Sequence, residues 1–272
     1  QSFLFPNIVI KLYYFYLFKI FFEKNKFNSD CFYIHENQPW EKSLIYHWRK
    51  NNFNKIYGVI NSSIRFWDLR FQKSKISPDF LLTNGVDSYN KALNFGYSSS
   101  EIKNVESLRY KKTVRVFQKN NNDRILIIFD YSIKSNDYLL EILNKTKKIL
   151  EYKIFFKEHP LVKLKNPKTN FEYSIVNNNK KFENCALVIC TNKTSASIDY
   201  LLAGYRVAIL EEPNFFNFSP LQGNKECKFF KNSFDLVNIL NYKRSNSKKK
   251  INNFFMTNIE LPNWKKIFNE KK

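Results

Sequence analysis

Two short stretches carry the residues best suited to chemistry. In the first, the apolar Phe155-Phe156 gives way to Lys157-Glu158-His159-Pro160. In the second, Val188-Ile189-Cys190 gives way to Thr191-Asn192-Lys193-Thr194-Ser195-Ala196-Ser197, and then to an apolar, helix-like run that closes on Gly204. Lysine and histidine donate hydrogen bonds to anions, and Pro160 restrains the backbone beside His159. Hydroxyls and unpaired backbone N–H groups at a helix start bind phosphate, and the helix dipole adds to that attraction. Helix capping by Ser195 or Ser197 needs only one hydroxyl. Four hydroxyls, at Thr191, Thr194, Ser195 and Ser197, favour an anion site, to which Lys193 adds charge. His159 taken alone reads better as a surface-loop histidine.

Both stretches need a strand ahead of them. Residues 124–129, 153–156, 171–176, 186–190 and 206–210 read as strands, with helices at 136–150, 197–203 and 234–240. Upstream, 31–35, 55–60 and 80–83 read as strands. A helix starts at Pro39, with Trp40, Leu44, Ile45 and Trp48 at helical spacing, which makes these tryptophans core residues. A further helix is predicted over 86–94, stopped by Gly96, and a last one over 264–268. This alternation predicts an α/β chain with parallel sheets, arranged as two Rossmann-like domains facing a cleft. The polar segment 111–123 is the expected boundary. It divides residues 1–112 from residues 113–272, whose final helix is expected to return toward the first domain.

Composition narrows the function classes. The 272 residues include 28 Phe and 16 Tyr but only 5 Gly, so no glycine-rich phosphate loop is present. The formal net charge of +21 favours polyanions, yet the positive residues are dispersed apart from one run over 243–250. No helix-turn-helix, zinc-finger or ribonucleoprotein signature accompanies the charge, so dedicated nucleic-acid binding is not expected. The four cysteines (Cys31, Cys185, Cys190, Cys227) have no C-x-x-C spacing and read as free thiols in a reducing compartment. His35, His47 and His159 are not paired at ligand spacing, so no metal site is expected. Residues 3–22 are apolar and aromatic but interrupted by Lys11 and Lys19. They read as a core or interfacial helix rather than a membrane span or signal peptide.

The segment from Lys157 through His159-Pro160, followed by the Thr191 to Gly204 run and a strand, resembles the donor-nucleotide half of GT-B glycosyltransferases. The likeness is greatest to bacterial surface-polysaccharide biosynthesis proteins. Glu36-Asn37-Gln38-Pro39-Trp40-Glu41, the Trp67-Asp68-Leu69-Arg70 segment, Glu106-Ser107-Leu108-Arg109-Tyr110 and Leu261-Pro262-Asn263-Trp264 are similar to segments of the same proteins. Asn61 stands where that pattern has a histidine. The resemblance implies a cytoplasmic enzyme that takes a sugar from a nucleotide-activated donor, in some relatives a CMP-linked one, and gives it to a glycan or glycolipid acceptor. It implies no cofactor beyond that donor. His159, Pro160, Ser195 and Ser197 match the nucleotide-contacting positions, and the N-terminal acceptor domain has fewer strands than such a half usually has, as an N-terminally truncated chain would. A peripheral contact with anionic membrane is a further expectation from the basic, aromatic surface.

Transfer with inversion needs a carboxylate to take the acceptor's proton. Glu36, at the end of a strand, is the first choice and Asp68 the second. Glu36 reads equally as a helix cap or a partner of Arg65 or Arg70. The departing phosphate needs hydrogen-bond donors and positive charge, which Lys157, His159 and the hydroxyl cluster can supply. Glu212 could accept ribose hydroxyls, or belong to a solvated turn before Pro213. A nucleotide-sugar epimerase of the same architecture would use carboxylates near the sugar, for which Asp130 and Glu158 are present. A degenerate homologue that binds without turnover is the non-enzymatic alternative.

Overall fold

In the computed structural model, residues 5–36, 38–65, 68–110, 123–176, 185–242 and 254–269 are described. The chain divides into two compact units, one of residues 1–111 with 253–272, the other of residues 112–252. Each holds one parallel sheet, and the chain has a two-domain Rossmann-like α/β architecture.

In the first unit the strands β1 (Cys31–Ile34), β2 (Ile56–Val59), β3 (Phe80–Thr83) and β4 (Ile102–Asn104) lie side by side in chain order. Helix α1 (Phe5–Lys24) precedes them, α2 (Pro39–Lys50) follows β1, and α3 (Val86–Asn94) follows β3. Pro39 opens α2 where its missing N–H costs nothing, and Glu41 one turn in caps it. The apolar face of α2 buries Leu44, Ile45 and Trp48 against Tyr33 and Ile56, with Phe22 of α1 closing the cluster. The last helix of the chain, taken below as α7 (Pro262–Asn269), packs on the opposite face through Trp264 and Ile267, against Tyr57, Leu82 and Val105. Glu106 anchors its start, accepting from the Asn263 amide side chain at 2.7 Å and from the backbone N–H of Trp264 at 3.3 Å. The backbone N–H groups of Asn263 and Trp264, both donating to Glu106 at 3.3 Å, are among those a bare helix N-terminus leaves open.

The second unit contains β5 (Arg124–Ile128), α4 (Ile133–Lys145), β6 (Lys153–Lys157), β7 (Tyr173–Ile175), β8 (Leu187–Cys190), α5 (Ala196–Leu202), β9 (Val207–Leu210), β10 (Lys228–Phe230) and α6 (Ser233–Asn241). Its sheet runs β7-β6-β5-β8-β9-β10, all parallel. The first strand is central and the order reverses beside it, between β5 and β8. Strands covered on both faces read as unbroken apolar runs, as Ile125-Leu126-Ile127-Ile128 and Leu187-Val188-Ile189-Cys190 do. All eight of those side chains are buried. Leu139, Ile142 and Leu143 of α4 and Leu236 of α6 cover one face.

Two readings are corrected at the level of elements. The helix predicted over 136–150 begins three residues earlier, because Ser132 caps it by accepting from the Ser135 N–H. It ends at Lys145, and a 3-10 turn, Lys147–Glu151, carries the apolar spacing onward. Strands β4 and β10 were not predicted; each is three residues long. The expected boundary segment falls, but for Asp123, outside the described residues. Gly96 and Gly204 follow α3 and α5 with φ of +91° and +89°, the left-handed stop expected of them.

Candidate functional site

In a doubly wound sheet, ligands bind outside the carboxyl ends of the strands where the order reverses. Here that point lies between the ends of β5 and β8. Ile128 pairs with Cys190, and the Thr191 N–H donates to the Ile128 carbonyl at 3.2 Å as the last rung. Past that rung stand Asp130, Thr191 and Asn192, each at most 1% exposed. The Asp130 backbone is braced by Asn136, whose Oδ1 accepts from Asp130 N at 3.1 Å while its Nδ2 donates to Asp130 O at 3.0 Å. Asp130 Oδ1 accepts from Ser132 N at 2.6 Å. Asp130 Oδ2, Thr191 Oγ1, and both Oδ1 and Nδ2 of Asn192 have no hydrogen-bond partner among the described residues. Buried polar atoms are nearly always paired, because leaving one unpaired costs about 1–3 kcal/mol. Four such atoms on two adjacent strand ends mark a place equipped to hydrogen-bond something further.

Around them lie aromatic and basic side chains. The Tyr131 ring, just after β5, sits edge-to-face with the His159 ring at 6.0 Å between centroids. Lys193 Nζ lies over the Tyr131 ring at 5.7 Å and over the Phe218 ring at the same distance. Tyr131 is thus shared by the histidine after β6 and the lysine after β8. His159 Nδ1 accepts from Leu161 N at 3.3 Å, so the proton of a neutral ring resides on Nε2, which is then a donor. Glu158 is buried and serves the same turn, its Oε1 accepting from Leu164 N at 2.8 Å and its Oε2 pairing with Lys163 at 3.0 Å. Pro160 is exposed in that turn. Lys157 Nζ lies 6.0 Å from the centre of the Tyr200 ring.

The hydroxyls after β8 divide into two kinds. Ser197 Oγ donates to the Thr194 carbonyl at 2.9 Å, and Thr194 Oγ1 accepts from Ala196 N at 3.3 Å, so both contribute to the start of α5. Ser195 occupies the cap position, yet its side chain makes no capping bond and is exposed. Glu212, after β9, accepts from Ser135 Oγ at 2.8 Å and thereby ties β9 to α4.

In the first unit, Glu36 follows β1 with an exposed side chain. The cap of α2 is Glu41 instead: its Oε1 accepts from both Glu36 N at 3.0 Å and Gln38 N at 2.9 Å, fixing the turn that carries Glu36. The other oxygen of this fully buried carboxylate meets His35 Nδ1 at 3.1 Å, and the Tyr33 hydroxyl lies 2.9 Å from the same nitrogen. Burial, and then the neighbouring Glu41 charge, push the Tyr33 phenol far up, so it stays protonated. Asp68 is buried and holds Arg70 by two bonds, Nε to Oδ1 at 2.7 Å and Nη2 to Oδ2 at 2.6 Å. That bonding raises the Arg70 guanidinium above its ordinary value. Trp48 is buried and Trp40 packs on the same cluster, as their spacing predicts.

A groove of about 590 Å³ opens in the first unit, lined by Arg49, Lys55, Lys73, Asp79 and Glu101 among others. It lies at the amino ends of the strands, the wrong end for a doubly wound site. Its principal charges are already paired, Arg49 with Asp79 at 2.8 Å and Lys73 with Glu101 at 2.6 Å. The strand ends of the second sheet are chemically the better site. Among the described residues no three His, Cys, Asp or Glu side chains gather as metal ligands would.

Asn192 and Tyr131 carry no role in the sequence reading. Asn192 sits inside a hydroxyl-rich motif that drew attention to its neighbours. Tyr131 looked like one aromatic among many in a chain with 16 tyrosines.

No known protein family matches the sequence, and no characterised protein matches it at the level of sequence. Among solved structures the chain is similar to UDP-N-acetylglucosamine 2-epimerase from Rickettsia bellii, with a TM-score of 0.56 and 11% identity over 94% of this chain and 76% of that one. It is also similar to HepE (Alr3699) of Anabaena in complex with UDP, with a TM-score of 0.49 and 10% identity over 78% and 68% of the two chains. A third likeness is to the lipopolysaccharide outer core galactosyltransferase WaaB, with a TM-score of 0.49 and 10% identity over 86% and 70%. At such identities a likeness speaks for fold alone. The fold and the strand ends together define a class: a two-domain Rossmann-like α/β protein with unpaired polar groups at the switch point of its second sheet.

Proposed function

We propose that the chain is a GT-B-type glycosyltransferase, moving a sugar from a nucleotide-activated donor to a surface-polysaccharide or glycolipid acceptor. The observation that carries this reading is the set of unpaired atoms on Asp130, Thr191 and Asn192, beside the Lys193–Tyr131–His159 group. A nucleotide sugar offers a complement to each part. Its phosphate accepts from Lys193, from His159 Nε2 and from the Ser195 and Thr191 hydroxyls, with Lys157 adding positive charge. Its sugar or ribose hydroxyls donate to Asp130 Oδ2 and pair with the Asn192 amide. Pro160, Thr194 and Ser197 shape the two turns, and Glu212 steadies the start of α4. No fixed organic cofactor is called for.

In the transfer step the acceptor hydroxyl oxygen attacks the anomeric carbon and gives its proton to a carboxylate. The bond from that carbon to the phosphate oxygen breaks, and the electron pair leaves on the nucleotide. Glu36 is the first choice for the carboxylate, since its side chain is exposed while Asp68 is buried and committed to Arg70. A cytidine-linked or uridine-linked donor fits this chemistry equally, and a cytoplasmic location fits both the donor and the free cysteines.

An epimerase acting on the nucleotide sugar itself is the second reading. It is favoured by the fold shared with the Rickettsia bellii enzyme and by the buried carboxylate of Asp130, whereas Glu158 is occupied by Lys163 and Leu164. Product analysis separates the two. Donor alone should give no new sugar, and donor with a glycan or glycolipid acceptor should give an extended product. Conversion of donor alone to an epimer would replace transfer with epimerisation. Glu36→Gln should abolish transfer while leaving nucleotide affinity within about twofold, as expected of a group that acts only on the acceptor.

A further inference from the structure

The loops that follow β5, β8 and β9 converge on one side chain. Those strands are neighbours in the second sheet, with β8 in the middle. Lys193, after β8, places its ammonium over two rings, 5.7 Å from the centre of Tyr131, which follows β5, and 5.7 Å from the centre of Phe218, which follows β9. Four other cations among the described residues, Lys103, Arg109, Arg124 and Lys157, lie over one ring each. Lys193 has two, supplied by different loops. Among the described residues no carboxylate pairs with it, whereas Lys163 and Lys231, in the loops after β6 and β10, are held by Glu158 and Glu211.

Both rings stand on braced turns. Beside Tyr131, the Asn136 side chain holds the N–H and carbonyl of Asp130, and Asp130 Oδ1 holds the N–H of Ser132. Around Phe218, Asn217 Oδ1 accepts from Ser219 N at 2.9 Å, and Ser219 Oγ accepts from Leu221 N at 3.1 Å. A lysine ammonium is otherwise a strongly hydrated point charge on a flexible stem, and ordering that stem opposes binding. Two ring faces attract the charge, take the place of part of its water and order the stem in advance. An anion arriving at the remaining N–H bonds then has fewer waters to displace.

We propose that Tyr131 and Phe218 are positioning residues for Lys193, which hold its ammonium ready for one phosphoryl group of the ligand. This rests on the phosphate contact assigned to Lys193 above and adds the two aromatic residues on which that contact depends. Rings that served only to pack the loops together would be enclosed. Tyr131 is instead 60% exposed, and neither ring belongs to the core cluster that α4 and α6 form with the sheet. Tyr131 also meets the His159 ring, so the same residue aligns both candidate donors to phosphate.

The test is calorimetry of the whole chain with UDP, CDP, GDP and CMP, and with inorganic pyrophosphate as the probe of the phosphate contact alone. For each ligand that binds wild type, Tyr131→Leu and Phe218→Leu should each weaken binding about 2- to 5-fold, the worth of one exposed cation–π contact. Tyr131→Phe and Phe218→Tyr, which keep a ring face, should recover most of that loss. In a Lys193→Ala background, Phe218→Leu should have no further effect, as expected of a residue that acts through the lysine. Without ligand, ring currents should move the Lys193 ε-methylene proton resonances upfield in wild type, and Phe218→Leu should move them back. Phe218→Leu, in a loop outside that core, carries the test should Tyr131→Leu melt early. The proposal is overturned if the leucine variants bind as wild type does while Lys193→Ala binds more weakly, or if the ring-keeping variants lose as much as the leucine ones. It is equally overturned if the Phe218→Leu loss persists without Lys193, or if the lysine resonances show no ring shift. Absence of binding by wild type to every ligand is a different result: it removes the proposed function and, with it, the role given to the rings.

Discussion

Replacing Thr191 by valine separates a site from a structural contact, because the two assign opposite signs to its effect on stability. Thr191 is fully buried and its Oγ1 has no partner among the described residues. Valine keeps the shape and removes the hydroxyl. If that hydroxyl is reserved for a ligand, the free protein is relieved of an unpaired buried group worth about 1–3 kcal/mol, offset in part by whatever residual hydration it retains. A net gain of about 1–2 kcal/mol corresponds to a rise in Tm of about 2–8 °C for a unit of this size. Nucleotide affinity should move the other way, falling about 10- to 150-fold for one hydrogen bond to a charged phosphate of about 1.5–3 kcal/mol. Thermal melts of the free protein and titration with nucleotide read the two halves independently. A fall in Tm would mean that the hydroxyl is already bonded in the folded protein, and the reasoning from unpaired atoms would fail.

Other outcomes follow from the same geometry. Glu101 accepts from Lys73, from the Ser98 N–H and from the Ser98 hydroxyl, which together hold its carboxyl down to about 2. A carboxyl depressed by folding stabilises above its unfolded value near 4.5 and loses that contribution as the pH drops toward 2. Glu101→Gln should therefore cost about 1 kcal/mol at neutral pH, trimmed by solvent screening, and the gap between variant and wild type should close in acid denaturation near pH 2–3. Burial lifts the Cys31 thiol to about 11 and those of Cys185 and Cys227 to about 12, with Cys190 higher still. At pH 8 a thiol reagent should label the native protein slowly and all four cysteines rapidly after denaturation. Prompt labelling of two or more in the native state would contradict that burial.

Much of the fold was legible because the physics behind it is local. Strands β5 and β8 are continuous apolar runs that end abruptly in polar residues, and α3 is bounded by a turn and by Gly96. The strands that escaped notice, Ile102–Asn104 and Lys228–Phe230, are too short to display alternation and are fixed by pairing with β3 and β9. Helix α4 was misplaced because Ile149 and Leu150 continue its apolar spacing past the true end. For the site, residue type announced His159, Lys157 and the hydroxyls, but which hydroxyls are spent on the turn itself is a matter of geometry. Ser197 bonds the Thr194 carbonyl while Ser195 does not cap, the reverse of what a simple capping rule suggests. The buried His35–Glu41 pair was invisible for a similar reason. Nothing in the spacing of residues 35 and 41 indicates that a helix start folds back over a strand end.

The most direct test of the account is calorimetric titration of the whole chain with UDP, CDP, GDP and CMP, in parallel with Lys193→Ala and His159→Ala. The account predicts that at least one nucleotide binds wild type. It predicts that each substitution weakens that nucleotide about tenfold or more, as loss of a charged or charge-assisted contact to phosphate would, with the melting profile unchanged. Absence of binding by wild type to all four, or binding by both variants with wild-type affinity, would contradict it.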